Sequence, residues 1–230
     1  MSVSGRVRLL ELQKRYSDQL LTVLTVLLAT MLFVVTPIQA AGFLIIDAFG
    51  LIVGLAMVAA AFVISANPAI TTTMLAAFSL NVAVVLLRLF RPLPFDLYIV
   101  AAAWFAITIT LGFVVARKVF EPGQVSYHRI VGAVLLYMLI AMTFVSLFTL
   151  VALLAPSAFN GFALHDDQKM SSSLIYFSFV TLTTTGYGDI VPVHPVARSL
   201  CNIEAVIGQL YPATLLARLV SLELGRRLAE

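Results

Sequence analysis

The residues best equipped for chemistry lie in one short run, Thr184-Thr185-Gly186-Tyr187-Gly188-Asp189. An extended segment points successive carbonyls to opposite sides. Glycines at alternate positions permit positive φ at little steric cost, so this run can turn its carbonyls to one side. Stacked rings of such oxygens replace the water around a bare cation. The Thr184 hydroxyl adds a ring at one end, and Tyr187 points away and braces the strand. The chemistry is coordination and release, with no bond made or broken. Non-helical backbone at membrane depth is tolerable only where it lines a wet path inside protein. The competing reading is an incidental glycine-rich outer loop.

The preceding segment weighs against that loop. Ser171 to Leu182 is apolar but has only about 12 residues, too few for the roughly 20 that a membrane-crossing helix needs. It reads as a re-entrant half-span. As a helix it would aim a C-terminal partial charge of about half an electron at the run, which favours a cation there. Half-span, run and flanking spans together closely resemble the potassium-channel superfamily, in its six-span, one-pore-loop, prokaryotic-like form. The resemblance covers Ile130 to the C-terminus, somewhat under half of the chain.

The resemblance implies a selectivity filter at Thr184, Thr185, Gly186, Tyr187 and Gly188, with K⁺ at Thr184, Thr185, Gly186 and Tyr187. One chain supplies one of the four loops that such a filter needs, so it implies a homotetramer with four-fold cyclic symmetry. Members often carry a tryptophan pair and a glutamate on the pore helix. The matching positions here are Tyr176, Phe177 and Val180; the aromatic packing is kept and the carboxylate is not. Tyr176 either hydrogen-bonds Asp189 or only packs.

Gly208 stands where the family has its inner-helix hinge. An interior helix glycine costs about 1 kcal/mol relative to alanine, and Pro212 should kink the same helix. The hinge reading expects Gly208→Ala to stiffen the helix and leave selectivity intact; the other reading is close packing at Gly208 and a static kink at Pro212. From that offset Gln209, Pro212 and Leu216 face the cavity, and Leu216, Val220 and Leu224 form either an apolar gate or an ordinary packing stripe. Glu204, one turn before Gly208, needs a partner; Ser178 and Thr181 are within reach, and the group is expected to be hydrogen-bonded and protonated, as a tuning group or an anchor.

The elements that must position these residues follow from composition. The chain has 230 residues, 61% hydrophobic and 11% charged, with a mean hydropathy of +1.05. Soluble domains are about 25% charged, so a soluble enzyme, a disordered chain and a nucleic-acid binder are excluded. The pI near 9.2 reflects a net charge of only +3. The lone Cys201 permits no internal disulfide and reads as a small core residue. No nucleotide-binding, zinc or nucleophile motif is present, so no cofactor is expected beyond K⁺ ions.

Five apolar runs are long enough to span: Leu20 to Val35, Ala41 to Ile64, Ala69 to Leu87, Leu97 to Val115 and Ile130 to Leu154. Val196 to Val220 makes a sixth, interrupted by polar residues. Ile38-Gln39-Ala40 imitates a signal-peptidase site, but the run is long for a signal and five spans follow it, so it is read as retained. The expected fold is an all-α polytopic membrane protein of six spans plus the half-span. With the N-terminus in the cytoplasm, Arg6, Arg8, Lys14, Arg15, Arg117, Lys118, Arg129, Arg218, Arg226 and Arg227 lie inside, and Arg88, Arg91, Lys169 and Arg198 outside. That distribution satisfies the positive-inside bias. It places both termini in the cytoplasm and the protein in the cell membrane.

The expected organisation is a cytoplasmic segment (1–18), a four-helix voltage-sensor-like unit (19–118), a linker (119–129) broken by Glu121-Pro122-Gly123, a pore unit (130–224) and a short tail (225–230) with no cytosolic ligand-binding domain. The fourth span has no charge between Asp96 and Arg117, so strong voltage sensing is not expected. Asp47 and Arg88 are expected to pair, with Asp96 as a further member, and the group is read as a structural pair over a sensor. Two other classes compete with a K⁺ channel. A K⁺ uptake transporter would carry four degenerate filter repeats where this chain has one; the other class is a non-conducting or sensory protein with a channel-like pore module.

Overall fold

The computed structural model describes residues 19–42, 48–65, 67–88, 90, 95–121, 127–161 and 168–227. Among the described residues seven helices follow one another. They are α1 (Gln19–Ala40), α2 (Ala48–Ile64), α3 (Pro68–Arg88), α4 (Asp96–Val119), α5 (Tyr127–Leu154), α6 (Gln168–Leu182) and α7 (Pro195–Arg227). Two short strands, β1 (Phe159–Asn160) and β2 (Val191–Pro192), pair antiparallel and tie the stretch before α6 to the segment before α7.

Local chemistry sets the ends. Asn67 Oδ1 accepts the Ala69 N–H at 3.0 Å, a side-chain cap, and Pro68 opens α3 where its missing N–H is harmless. Asp96 opens α4, and Arg117 and Lys118 lie in its last turn, complementing the helix dipole at both ends. In α1 the turn Met31–Val35 is π-helical. The Thr36 N–H and hydroxyl both donate to the Met31 carbonyl, the hydroxyl at 2.8 Å. The widened turn makes room for the ring of Pro37, which has no N–H to give.

Helices α1, α3, α4, α5 and the Pro195–Arg218 part of α7 are long and apolar enough to cross a membrane. The chain is an all-α, multi-pass membrane protein. The run expected from Ala41 to Ile64 appears as α2, whose 17 described residues are apolar but shorter than a full span; 43–47 lie outside the described residues. The half-span is a separate 15-residue helix, α6. Asp47 also lies outside the described residues. The expected Asp47–Arg88 pair therefore lies outside them as well; Arg88 Nε lies 2.7 Å from Asp96 Oδ2.

Helix α5 is the spine. It is the most deeply buried of the long apolar helices, and one continuous apolar core joins it to α1, α2, α4 and α6. The leucines at positions 21, 24, 28 and 32 repeat at helical spacing and are buried. Contacts place this face of α1 along α5: Thr22 Oγ1 lies 3.3 Å from His128 Nδ1, and a Cβ on Gly132 would meet Leu21 Cδ1 at 3.5 Å. Between α4 and α5 the Tyr98 hydroxyl donates to the Leu153 carbonyl at 2.8 Å.

Candidate functional site

The site begins at the end of α6. The Thr184 N–H donates to the Thr181 carbonyl and the Thr185 N–H to the Val180 carbonyl, both at 2.9 Å, while Thr184 has φ +56°. That is a Schellman ending, whose left-handed position usually holds glycine. Here a β-branched residue holds it. Gly186 follows at φ +59° and Gly188 at φ +80°, with Thr185 and Tyr187 at negative φ between them. The alternation of φ sign runs from Thr184 to Gly188, the pattern by which successive carbonyls can be turned toward one side. Among the described residues no backbone amide donates to a carbonyl from Thr184 to Gly188, so these acceptors are unspent.

The loop is braced from outside. Tyr187 stacks on Tyr176 with ring centres 6.3 Å apart, and the Tyr176 hydroxyl lies on the side of the Asp189 carboxylate. Phe177 lies in an edge-to-face cluster with Phe148 at 5.1 Å and Phe159 at 5.4 Å. Gly161, at φ +102°, rests on the Asp189 carbonyl, where a Cβ would stand only 1.9 Å away. Tyr187 is 71% exposed and borders an apolar cavity of about 550 Å³ shared with Phe33, Tyr137, Met138 and Ile175.

Helix α7 meets α6 and the loop at three points. Glu204, 0% exposed, lies 2.5 Å from Ser178 Oγ, and Ser178 Oγ lies 2.9 Å from the Ala141 carbonyl of α5. A hydroxyl has one hydrogen. Both contacts are satisfied if Glu204 is a neutral acid that donates to Ser178, which donates to Ala141. Glu204 Oε2 has no hydrogen-bond partner among the described residues, a position far less costly for an acid's carbonyl oxygen than for an anion. Glutamine reproduces this donor pattern, so Glu204→Gln is expected to change unfolding stability by less than about 1 kcal/mol and to leave unitary conductance unaltered. Loss of a protonated-carboxyl infrared band in the variant checks the assignment; a clear fall in conductance would mean that a charge had been removed.

Gly208 is the second point. A Cβ on it would lie 1.8 Å from the Leu182 carbonyl oxygen and 2.7 Å from its carbon. Backbone thus meets backbone, and the close-packing role is the one for which the geometry gives a direct reason. Gln209 is the third, its Nε2 donating to Thr184 Oγ1 at 2.7 Å. Pro212 lies inside α7, which is helical on both sides of it. Leu216 is 63% and Val220 50% exposed. Leu224 continues the helix, and its side chain lies outside the described residues.

Three contributors escaped the sequence reading. The Tyr137 hydroxyl donates to the Leu182 carbonyl at 3.3 Å. A tyrosine inside an apolar span was the available signal, since its hydroxyl usually finds a partner. Arg218 Nη2 donates to the Phe120 carbonyl at 2.6 Å and the Glu121 carbonyl at 3.1 Å, tying lower α7 to the end of α4. Gly161 is the third, and its spacing carried no signal.

Residues 133–223 match a family model described as an ion channel. The matched region runs from α5 through α6 and the loop into α7 and covers less than half of the chain. No curated protein and no solved structure matches the chain.

Proposed function

We propose that the chain is one subunit of a homotetrameric, potassium-selective channel that conducts K⁺ passively through a filter built from Thr184, Thr185, Gly186, Tyr187 and Gly188. The observation that carries this reading is the alternating backbone with its unspent carbonyls, directly after the C-terminal end of a short helix and within the ion-channel match. Four such loops around an axis give each dehydrated ion oxygens on all sides. The negative end of α6 adds a favourable field.

Uncovered apolar surface supports assembly. Val206, Leu210 and Leu216 of α7 are each more than half exposed in the single chain. The outer part of that surface fits lipid or neighbouring subunits, and Leu216, Val220 and Leu224 fit a gate that closes by excluding water. The topology is six spans with both termini in the cytoplasm. Voltage has little to act on: α4 has no charge between its ends, and Arg88 is engaged with Asp96.

The test is a reversal-potential measurement on purified protein in bilayers with opposing K⁺ and Na⁺ gradients. The expected reversal lies near the K⁺ equilibrium potential. Reversal near zero would refute selectivity, and the absence of any flux would favour a non-conducting protein with a channel-like pore module.

A further inference from the structure

Resting on the reading of the loop as a filter, we propose that Gln209 is a positioning residue for the innermost cation site, holding the Thr184 hydroxyl so that a lone pair, rather than the hydroxyl hydrogen, faces the ion. The argument starts from strain. Thr184 is the only non-glycine residue with positive φ among the described residues. A β-branched side chain is a marked outlier there, and a single left-handed residue costs on the order of 1–2 kcal/mol. Glycine would meet the needs of the Schellman ending without that cost. The backbone therefore gives no reason for threonine, and the side chain must supply one.

Its side chain is held by Gln209, whose Nε2 donates to Thr184 Oγ1 at 2.7 Å. A threonine hydroxyl has one hydrogen and two acceptor lone pairs. Accepting from the amide uses one lone pair and leaves one for a cation. Without the amide the hydroxyl rotates freely, and its hydrogen can turn toward the ion path, where it repels a cation. Two neighbouring contacts keep the amide in place. Gly208 seats the α7 backbone against the Leu182 carbonyl, and Glu204 is joined to Ser178 one turn above. The Thr183 and Thr185 hydroxyls bond each other at 2.9 Å and do not compete for Thr184.

The probe is Ba²⁺ applied from the inner side. It is close in size to K⁺ and doubly charged, so its block reports binding at the inner end of the filter. Gln209→Met keeps the length of the side chain and removes the donor. It is expected to weaken Ba²⁺ block by about tenfold or more, since one hydrogen bond is lost in each subunit. In a Thr184→Val background the same change should have no further effect, because the partner is already gone. If Thr184→Val carries no current, Thr184→Ser serves instead: serine keeps the hydroxyl, and the weakening by Gln209→Met should persist.

Unaltered Ba²⁺ block in Gln209→Met, an equal effect in the Thr184→Val background, or loss of the effect in Thr184→Ser would each overturn the positioning role. A merely structural role would lower assembly or melting temperature without moving Ba²⁺ affinity. Wild-type protein without K⁺-selective current would overturn the filter reading itself. It is measured first, so the two failures are distinct.

Discussion

Gly208→Ala is expected to deplete folded, K⁺-conducting protein severely rather than to change open probability alone. The added Cβ would stand 1.8 Å from the Leu182 carbonyl oxygen and 3.2 Å from the Leu182 Cα. Neither is the end of a flexible side chain, so relief requires moving a helix. Forced overpacking costs about 1–3 kcal/mol per site, and the proposed assembly repeats it in every subunit. The displaced carbonyl also accepts from Tyr137, and the loop at Thr184 starts two residues later. Size-exclusion profiles, melting temperature and K⁺ flux in liposomes check this. Gly208→Ala protein with wild-type yield and selectivity would restore the hinge reading.

On the proposed gating reading, the same geometry puts the bend of α7 below Gly208 rather than at it. Glu204, Gly208 and Gln209 fasten its upper part to α6 and the loop. Pro212 cannot donate to the Gly208 carbonyl, the usual acceptor four residues back, so the first missing rung lies just below that fastening. Further down, Arg218 grips the carbonyls at the end of α4 and stacks over Phe120 at 5.0 Å. A bend at Pro212 would swing Leu216 and Val220 while leaving the loop held, and Arg218 would couple that swing to the end of α4.

Much of this arrangement was legible in the sequence. The apolar runs marked the long helices, α3 and α5 to within three residues at each end, while α1 and α7 run five and seven residues past their expected ends and α2 starts seven residues late; length and hydropathy locate a span better than they locate its ends. The shortness of Ser171 to Leu182 marked α6 in the same way. In the run from Thr184 to Gly188 the glycines marked two of its three positive-φ positions. Thr184 was not marked, because threonine argues against a left-handed conformation and only the helix ending above it demands one. Gly208 was ambiguous because hinge and contact both select glycine; only the Leu182 carbonyl on the opposite side separates them. The docking of α1 along α5 joins residues about a hundred positions apart, and the leucine stripe of α1 at 21, 24, 28 and 32 shows a buried face without naming the helix it packs on.

Alanine at Gly188 is expected to abolish selectivity for K⁺ over Na⁺, and alanine at Gly186 to act in the same direction. Gly188 has φ +80° and Gly186 φ +59°, and an ideal Cβ on either meets nothing within 4 Å in the chain. The penalty is therefore conformational rather than steric. An L-residue held in the left-handed region costs about 1–2 kcal/mol, and a four-fold filter repeats that cost to a total of about 4–8 kcal/mol per channel. That is comparable to the whole stability of a typical domain, about 5–15 kcal/mol. The strand relieves it by returning to negative φ, which turns a carbonyl out of its ring. D-alanine, with the mirror-image preference, supplies the control: introduced at Gly188 by semisynthesis, it favours positive φ and should retain selectivity where L-alanine loses it. Reversal potentials under mixed K⁺ and Na⁺ gradients compare the two. Equal loss in both would trace the defect to side-chain bulk, and retention in both would mean that positive φ at this position does not set the ion site.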